Sequence, residues 1–203
     1  MTPDTFRRSP ETIPGRRVRL EKIHPRHAPA FHASVQRSMA DLGFIAWGHH
    51  HWNAVAALEH CERQRDWVDT EGEGVMYLAF EHDTGSYVGC VDLHSVDFGV
   101  PRCQIGFVGC SRQRGRGLMR DATLALMDWA YSRGMARIEV WCDVRNTRAL
   151  AFTESLGFLR EGLMRKVERD ARGQLCDQYL LARLSTDSLP TIVDSRDSVA
   201  ITV

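Results

Sequence analysis

The sequence predicts an α/β domain of the α+β kind, in which helices interrupt a mostly antiparallel sheet. Three observations predict it. Short apolar stretches typical of strands recur along the chain, two of them flank a turn at residues 82–85, and segments of helical period separate the others. A length of 203 residues, with 43% hydrophobic and 26% charged residues, suits one globular domain with a substantial core.

The domain is expected to cover residues 16–184. Residues 1–15 are polar and rich in proline, so they are expected to form a flexible N-terminal lead-in, and the tail at 185–203 has no clear periodicity. The start carries no apolar signal core, and no run approaches the ~20 apolar residues of a membrane span. We therefore expect a cytoplasmic protein that does not enter a membrane.

The first half of the chain predicts one strand, two helices and then three strands. The second of these helices places Val55, Leu58, Cys61 and Arg65 near one side. The predicted strands cover 17–23, 75–81, 87–93 and 103–108, and the predicted helices cover 30–39 and 54–69.

The second half changes to a helical period and then returns to strands. Apolar residues at helical spacing begin at Leu118, and Gly134 is a natural stop for that helix. The remaining predicted elements are a strand at 137–142, a short helix at 147–156, and strands at 163–168 and 175–184.

Charge and cysteine usage exclude several classes of protein. Twenty-six basic residues balance 26 acidic ones, which argues against a general nucleic-acid binder. The six cysteines form no CxxC pair, so a zinc ribbon or redox dithiol is not expected, and they are interpreted as buried hydrophobes in a reducing compartment. The neighbouring His49, His50 and His51 do not converge easily on one ion, so no metal is expected.

A glycine-containing loop between a strand and an amphipathic helix is the most informative stretch. It covers residues 111–118, and Gly115 and Gly117 permit a tight turn with close backbone approach. The first amides of the helix have no internal partner and favour an anion such as a phosphate. The loop lacks the lysine of a P-loop and the third glycine of a dinucleotide fingerprint. By itself the loop is weak evidence for a phosphate site, and an ordinary glycine-containing turn is the simpler interpretation.

Arginines and flanking motifs make this loop more specific. Arg112, Arg114 and Arg116 would add positive charge, and Arg112-x-x-Gly115-x-Gly117 resembles the Q/R-x-x-G-x-G/A motif of the GNAT acyl-CoA-dependent N-acetyltransferases. The stretch from Asn146 to Leu156-Gly-Phe158 also resembles that family. Two further segments, Gln104-Ile-Gly-Phe107 and Asp177-Gln-Tyr-Leu-Leu181, resemble its RimJ/RimL branch.

The resemblance covers roughly residues 16–184 and implies both a fold and a cosubstrate. The GNAT fold is a mixed, mostly antiparallel sheet of six to seven strands, flanked by helices, with a V-shaped split between its two central strands. Acetyl-CoA would lie in that split, between the strand ending near Val108 and the strand ending near Asp143. The implied cofactor-binding residues are Phe107, Val108, Gly109, Arg112, Gln113, Arg114, Gly115, Arg116, Gly117, Leu118, Met119, Asn146, Ala149 and Phe152.

Within that set the resemblance gives each part a role. The main chain of 107–109 would pair with the pantetheine amides like an added strand. Amides of 113–119 would hold the pyrophosphate, Asn146 would bind the pantetheine arm, and Ala149 and Phe152 would flank the cofactor. Asn146 is also a good residue for a helix cap, and both roles can coexist.

The chain departs from the branch where protons are handled. Gln104 stands where the branch often has Glu, and Ala149 where it often has Ser, so neither serves as base or acid. Asp92 and His94, at the end of a strand, are candidate substitutes, which makes Asn146, Asp92, His94 and Gln104 the catalytic candidates. A solvated carboxylate at Asp92 and proton loss through ordered water are the alternatives.

The acceptor amine is left open by the sequence. The segment 34–52 is implied to line the acceptor site, with Trp47 as a substrate-binding residue or a core residue. A protein N-terminus, as in ribosomal-protein acetylation, and a small-molecule amine are both compatible. The expected activity is direct N-acetyl transfer. The alternatives are a degenerate acyl-CoA sensor and a ribosome- or protein-associated factor, and a homodimer is expected by family habit.

Overall fold

The computed structural model describes residues 1–45, 51–70 and 74–189, without the side chains of 68–70. Its strands are β1 Thr12–Pro14, β2 Val18–Lys22, β3 Gly74–Glu81, β4 Tyr87–Asp97, β5 Arg102–Gly109, β6 Arg137–Asp143, β7 Leu159–Arg169 and β8 Leu175–Leu184. Its α-helices are α1 Pro3–Arg7, α2 Ala28–Ser38, α3 Ala54–Thr70, α4 Leu118–Ser132 and α5 Thr147–Ser155. Each element predicted from the sequence has a counterpart, which confirms the α+β prediction.

The strands form one eight-stranded sheet in the order β1-β2-β3-β4-β5-β6-β8-β7. Within the described chain every neighbouring pair is antiparallel except β5 and β6. That parallel pair is also short, because it joins only Arg102–Gln104 to Arg137–Glu139. Beyond Gln104 the two strands separate, which confirms the predicted split between central strands.

The eighth strand comes from the N-terminal segment, where the expectation of a flexible lead-in is wrong. Residues 3–7 form α1, and Phe6 within it is fully buried. Strand β1 pairs with β2 at the register Ile13↔Leu20, and Ile13 is buried too. Two apolar side chains with places in the core are enough to order a segment whose composition is mostly polar.

Alternation along the strands divides the core between the two faces of the sheet. Odd-numbered residues of β3, such as Val75 and Tyr77, pack with α4, whereas even-numbered ones, such as Met76 and Leu78, pack with α2 and α3. The sheet is thus the middle of three layers. The α4 layer covers β2 to β4, and the α2–α3 layer stands in front of the site described below.

Helix α3 turns only part of its predicted apolar side inward. Cys61 of that side is buried, together with Ala57, whereas Val55 and Leu58 are exposed. The apolar periodicity was misleading because the inward face of this helix carries small and polar residues. All six cysteines are free and buried, as interpreted from the sequence. No helix in the described part of the chain is long and apolar enough to cross a membrane.

Candidate active site

A cavity of about 450 Å³ opens where β5 and β6 separate. Phe107 and Val108 line it from β5, and Val140 and Cys142 line it from β6. Since β5 pairs with β4 on its other side, the edge of β5 beyond Gln104 borders the cavity rather than another strand. This edge is an open place for an extended ligand to pair with main-chain groups.

Three polar side chains meet at the closed end of the split. His94 Nδ1 lies 2.6 Å from Asp92 Oδ2, and His94 Nε2 lies 3.2 Å from Gln104 Oε1. The contact between His94 and Gln104 follows from the sheet register, because His94 of β4 lies opposite Gln104 of β5. Asp92 and His94 are respectively 15% and 30% exposed, and all three residues line the cavity. The structure thus brings together three of the four predicted catalytic candidates.

The pKa of His94 is raised by this arrangement. Burial alone would lower it, because a charged imidazole is poorly solvated there. The hydrogen bond and the charge of Asp92 outweigh burial, and Gln104 adds to them. His94 therefore binds a proton more readily than an ordinary histidine.

Two glycines make room for this cluster. A Cβ on Gly106 would lie 2.5 Å from Asp92 Oδ1, and a Cβ on Gly74 would lie 2.4 Å from the ring of Trp67. That ring stacks on His94, with ring centroids 6.4 Å apart and planes inclined by 20°. Because neither glycine has a side chain, Asp92 and Trp67 fit beside His94 and hold its imidazole ring in place.

Strand β4 bulges immediately after His94. Its pairing with β5 shifts register between His94 and Asp97, and Ser95 adopts a positive φ of 50°. A non-glycine residue in that region is uncommon and costs free energy. The irregularity ends the regular strand at the cavity.

The far wall of the cavity was missed by sequence reasoning. Helix α3 contributes His60, Gln64 and Trp67, which lie at the helical spacing i, i+4, i+7. This spacing was the available signal, and it was overlooked because the stripe is polar and aromatic rather than aliphatic. Residues Phe31, Phe44 and Ile45 also line this wall.

The glycine loop follows β5 and leads into α4. A 3₁₀ turn covers Ser111–Gln113, and Gly115 and Gly117 both have φ of 73°. Gly117 is the N-cap of α4 and has no side chain to bond the first amides of the helix. The first turn of α4 therefore has no side-chain cap, and the positive end of its helix dipole lies at this loop.

The loop arginines are less available to a ligand than the sequence suggests. Arg116 makes a two-pronged ion pair with the buried Glu81, at 2.5 and 3.0 Å. Arg114 pairs with Asp41. Their charges are therefore partly neutralised, while the backbone amides remain the principal feature of the loop.

The other predicted cofactor residues lie around the start of α5. Asn146 is its N-cap, and its Oδ1 accepts a hydrogen bond from the Ala149 amide at 3.1 Å. Both residues line the cavity. The rings of Phe107 and Phe152 pack edge to face with centroids 4.8 Å apart, which joins α5 to β5. The helix-cap role of Asn146 is thus observed beside its place in the cavity.

Trp47, His49 and His50 lie outside the described residues. Within the described ranges, no group of three or more His, Cys, Asp or Glu side chains is arranged to hold a metal ion.

The family model described as "Acetyltransferase (GNAT) domain" matches residues 17–159. The chain belongs to the GNAT acetyltransferase family. Its predicted enzyme class, an N-acetyltransferase with acetyl-CoA as cosubstrate, is thereby confirmed. The uncharacterised N-acetyltransferase p20 of Bacillus licheniformis is 28% identical over 121 residues, which are 59% of this chain and 67% of that protein.

Solved structures give the same family. A RimL ribosomal L7/L12 α-N-protein acetyltransferase in complex with coenzyme A is 25% identical, with a TM-score of 0.77, and the match covers 86% of this chain and 98% of that one. An acetyltransferase from Salmonella typhimurium that modifies the N-terminal serine of L7/L12 is 24% identical, also with a TM-score of 0.77. That match covers 86% of this chain and 99% of the other, and it supports the GNAT fold.

Proposed function

We propose that this GNAT enzyme transfers the acetyl group of acetyl-CoA directly to the α-amine of a protein N-terminus. The single observation that carries the proposal is the cavity at the strand split. It joins the open edge of β5, where a cofactor would lie, to the wall formed by α2 and α3. A thioester and an amine arriving from opposite sides would meet beside His94.

The residues of this chain suit the cosubstrate. Main-chain groups of 107–109 face the open side of β5 and would pair with the pantetheine amides. The uncapped N-terminus of α4 would hold the pyrophosphate through its amides. Asn146 and Ala149 line the cavity on the opposite side and would flank the pantetheine arm.

The likeness to the RimL-type enzyme, which extends over nearly all of that chain, favours a protein N-terminus as the acceptor. The carboxylates of Asp92 and Glu168 at the cavity favour a cationic acceptor, whether a peptide α-amine or a small amine. Aromatic residues on the α3 side, such as Trp67, would pack against the first side chain of the peptide.

We also infer a homodimer that works in the cytoplasm. Edge strand β7 exposes Leu159, Leu163 and Val167, and Leu175 of β8, which lies opposite Arg169, is exposed as well. An apolar sheet edge of this kind favours pairing with a second copy. Six free, buried thiols suit a reducing compartment.

The test is CoA release, measured by thiol titration with purified protein and acetyl-CoA. The acceptors are peptides beginning with Ser, Ala or Met, the same peptides with blocked N-termini, free amino acids, polyamines and aminoglycosides. Release with free but not blocked peptides supports the proposal. Release with a small amine only would show that the acceptor is not a protein N-terminus, while the acetyltransferase activity would stand. Tight acetyl-CoA binding by thermal shift, without release for any acceptor, would favour the sensor alternative.

A further inference from the structure

We propose that His94 is the general base that takes the proton from the acceptor ammonium, with Asp92 and Gln104 as its positioning residues. The inference rests on the proposed function, because it concerns the proton-transfer step of that reaction. It gives this chain a device for proton handling where Gln104 and Ala149 replace the residues usual in the branch.

The two sides of the imidazole have different partners. Asp92 Oδ2 is 2.6 Å from Nδ1, so Nδ1 carries a proton and donates a hydrogen bond to the carboxylate. This assignment leaves Nε2 of the neutral ring with a lone pair on the side of Gln104. An amine that enters the cavity and takes the place of the Gln104 amide at Nε2 would reach that lone pair.

Gln104 favours the product of proton transfer. Its Oε1 lies 3.2 Å from Nε2, where it accepts a hydrogen bond only once Nε2 is protonated. Asp92 stabilises the same imidazolium from the other side. Gln104 therefore takes up no proton itself. Its amide oxygen only accepts a hydrogen bond from the imidazolium.

The surroundings hold the ring in place. Trp67 of α3 stacks on it, and the facing residues of β3, Gly74 and Met76, are uncharged. From β5 the facing side chain is the neutral Gln104. Among the described groups around the ring, Asp92 is the one whose charge raises the pKa of His94. A fixed ring with one charged partner suits a base of defined orientation.

The chemistry balances without another reactant. The ammonium R–NH3⁺ gives one proton to Nε2, and the neutral amine attacks the thioester carbonyl, forming the C–N bond. The tetrahedral intermediate collapses as the C–S bond breaks. The second amine proton goes to the departing sulfur, directly or through water, and gives CoA–SH. His94 returns its proton to solvent, so the products are the amide, CoA and H⁺.

The test compares His94→Gln, Asp92→Asn and wild type in CoA-release assays from pH 5.5 to 9.5, with two peptides whose α-amines differ in pKa. We expect His94→Gln to lower kcat at pH 7 by about 100-fold or more, with little change in KM for acetyl-CoA. In wild type the acid limb of the pH–rate profile should have the same midpoint with both peptides. In His94→Gln the midpoint of that limb should follow the amine pKa of each peptide. Asp92→Asn should move the wild-type limb to lower pH.

A control and an independent readout separate the outcomes. His82→Gln, an exposed histidine at the β3–β4 turn, should match wild type. NMR titration of the His94 ring should show a pKa that falls in Asp92→Asn. If wild type releases CoA and His94→Gln keeps both the rate and the acid limb of the pH–rate profile, His94 is not the general base and the proposed function stands. If wild type releases no CoA with any acceptor, both the proposed function and the role of His94 are wrong.

Discussion

Gly106 determines whether Asp92 can occupy its place beside His94. Because an added Cβ would lie 2.5 Å from Asp92 Oδ1, Gly106→Ala must displace that carboxylate. We expect kcat to fall by up to about 100-fold, because a displaced Asp92 no longer holds the proposed base His94 in position. CoA-release kinetics measure this. Gly162→Ala is the matched control, because a Cβ there meets nothing within 4 Å. Equal rates in both variants would contradict the expectation.

The raised pKa of His94 also affects stability. The folded state binds this proton more tightly than the unfolded chain, so the contribution is fully present below the unfolded pKa of about 6.5. It is lost as pH rises through the higher folded pKa. We therefore expect wild type to lose more free energy of unfolding than His94→Gln between pH 6 and pH 8.5, by urea denaturation. An identical loss in both proteins would show that His94 titrates normally.

The sequence predicted the residues of this cluster but not their arrangement. Alternation in β4 turns Asp92 away from Val91 and Leu93, which made it a candidate. Its contact with His94 and the contact of His94 with Gln104 depend on rotamers and on the β4–β5 register. Neither is visible in one sequence, since a register is set between segments rather than within one.

At the scale of elements, α1 and β1 anchor the N-terminal segment. Phe6 is fully buried and packs edge to face on Phe98, with centroids 5.8 Å apart. We expect Phe6→Ala to lower the free energy of unfolding by about 3 kcal/mol, through lost burial and a cavity. Urea denaturation measures it. Arg8→Ala, an exposed neighbour, should change stability by less than about 0.5 kcal/mol. A neutral Phe6→Ala would mean that the segment does not contribute to the core.

Elements with strong periodicity were predicted within a few residues, as for α4, whose apolar stripe begins at Leu118. The misses share a physical cause. Helix α1 has five residues and β1 has three, too few to display a period. Helix α3 was predicted as a helix, but Val55 and Leu58 of its predicted apolar side are exposed, because its cavity side carries His60, Gln64 and Trp67. A cavity wall of polar and aromatic side chains does not follow the apolar pattern of a core.

At the scale of the whole molecule, the site depends on how distant segments meet. The motifs that predicted the family lie on both sides of the β5–β6 split, but the split itself is a property of the sheet. Parallel pairing stops at Gln104, and only the assembled strands show this. The order of elements along the chain was therefore predictable, whereas the width of the cavity and its α3 wall were not.

One carboxylate links three segments that are distant in sequence. Asp41, in the 3₁₀ helix Met39–Phe44, pairs with Arg114 of the glycine loop. Its other oxygen lies 3.3 Å from Arg148 Nη1 on α5. The same 3₁₀ helix contributes Phe44 to the cavity wall. Asp41 thus neutralises two guanidinium groups that stand near the proposed pyrophosphate site.

Replacing this carboxylate should make both arginines available to the phosphates of the cosubstrate. We expect Asp41→Asn to lower the Kd for acetyl-CoA by about two- to fivefold, since exposed ion pairs contribute about 0.2–1 kcal/mol each. The gain should shrink as salt rises from 0.05 to 0.5 M, because screening weakens exposed charges. Calorimetric titration measures both. S-acetylpantetheine, which lacks the pyrophosphate, is the control ligand and should bind both proteins equally. A similar gain for S-acetylpantetheine would place the effect in the cavity wall rather than at the phosphates.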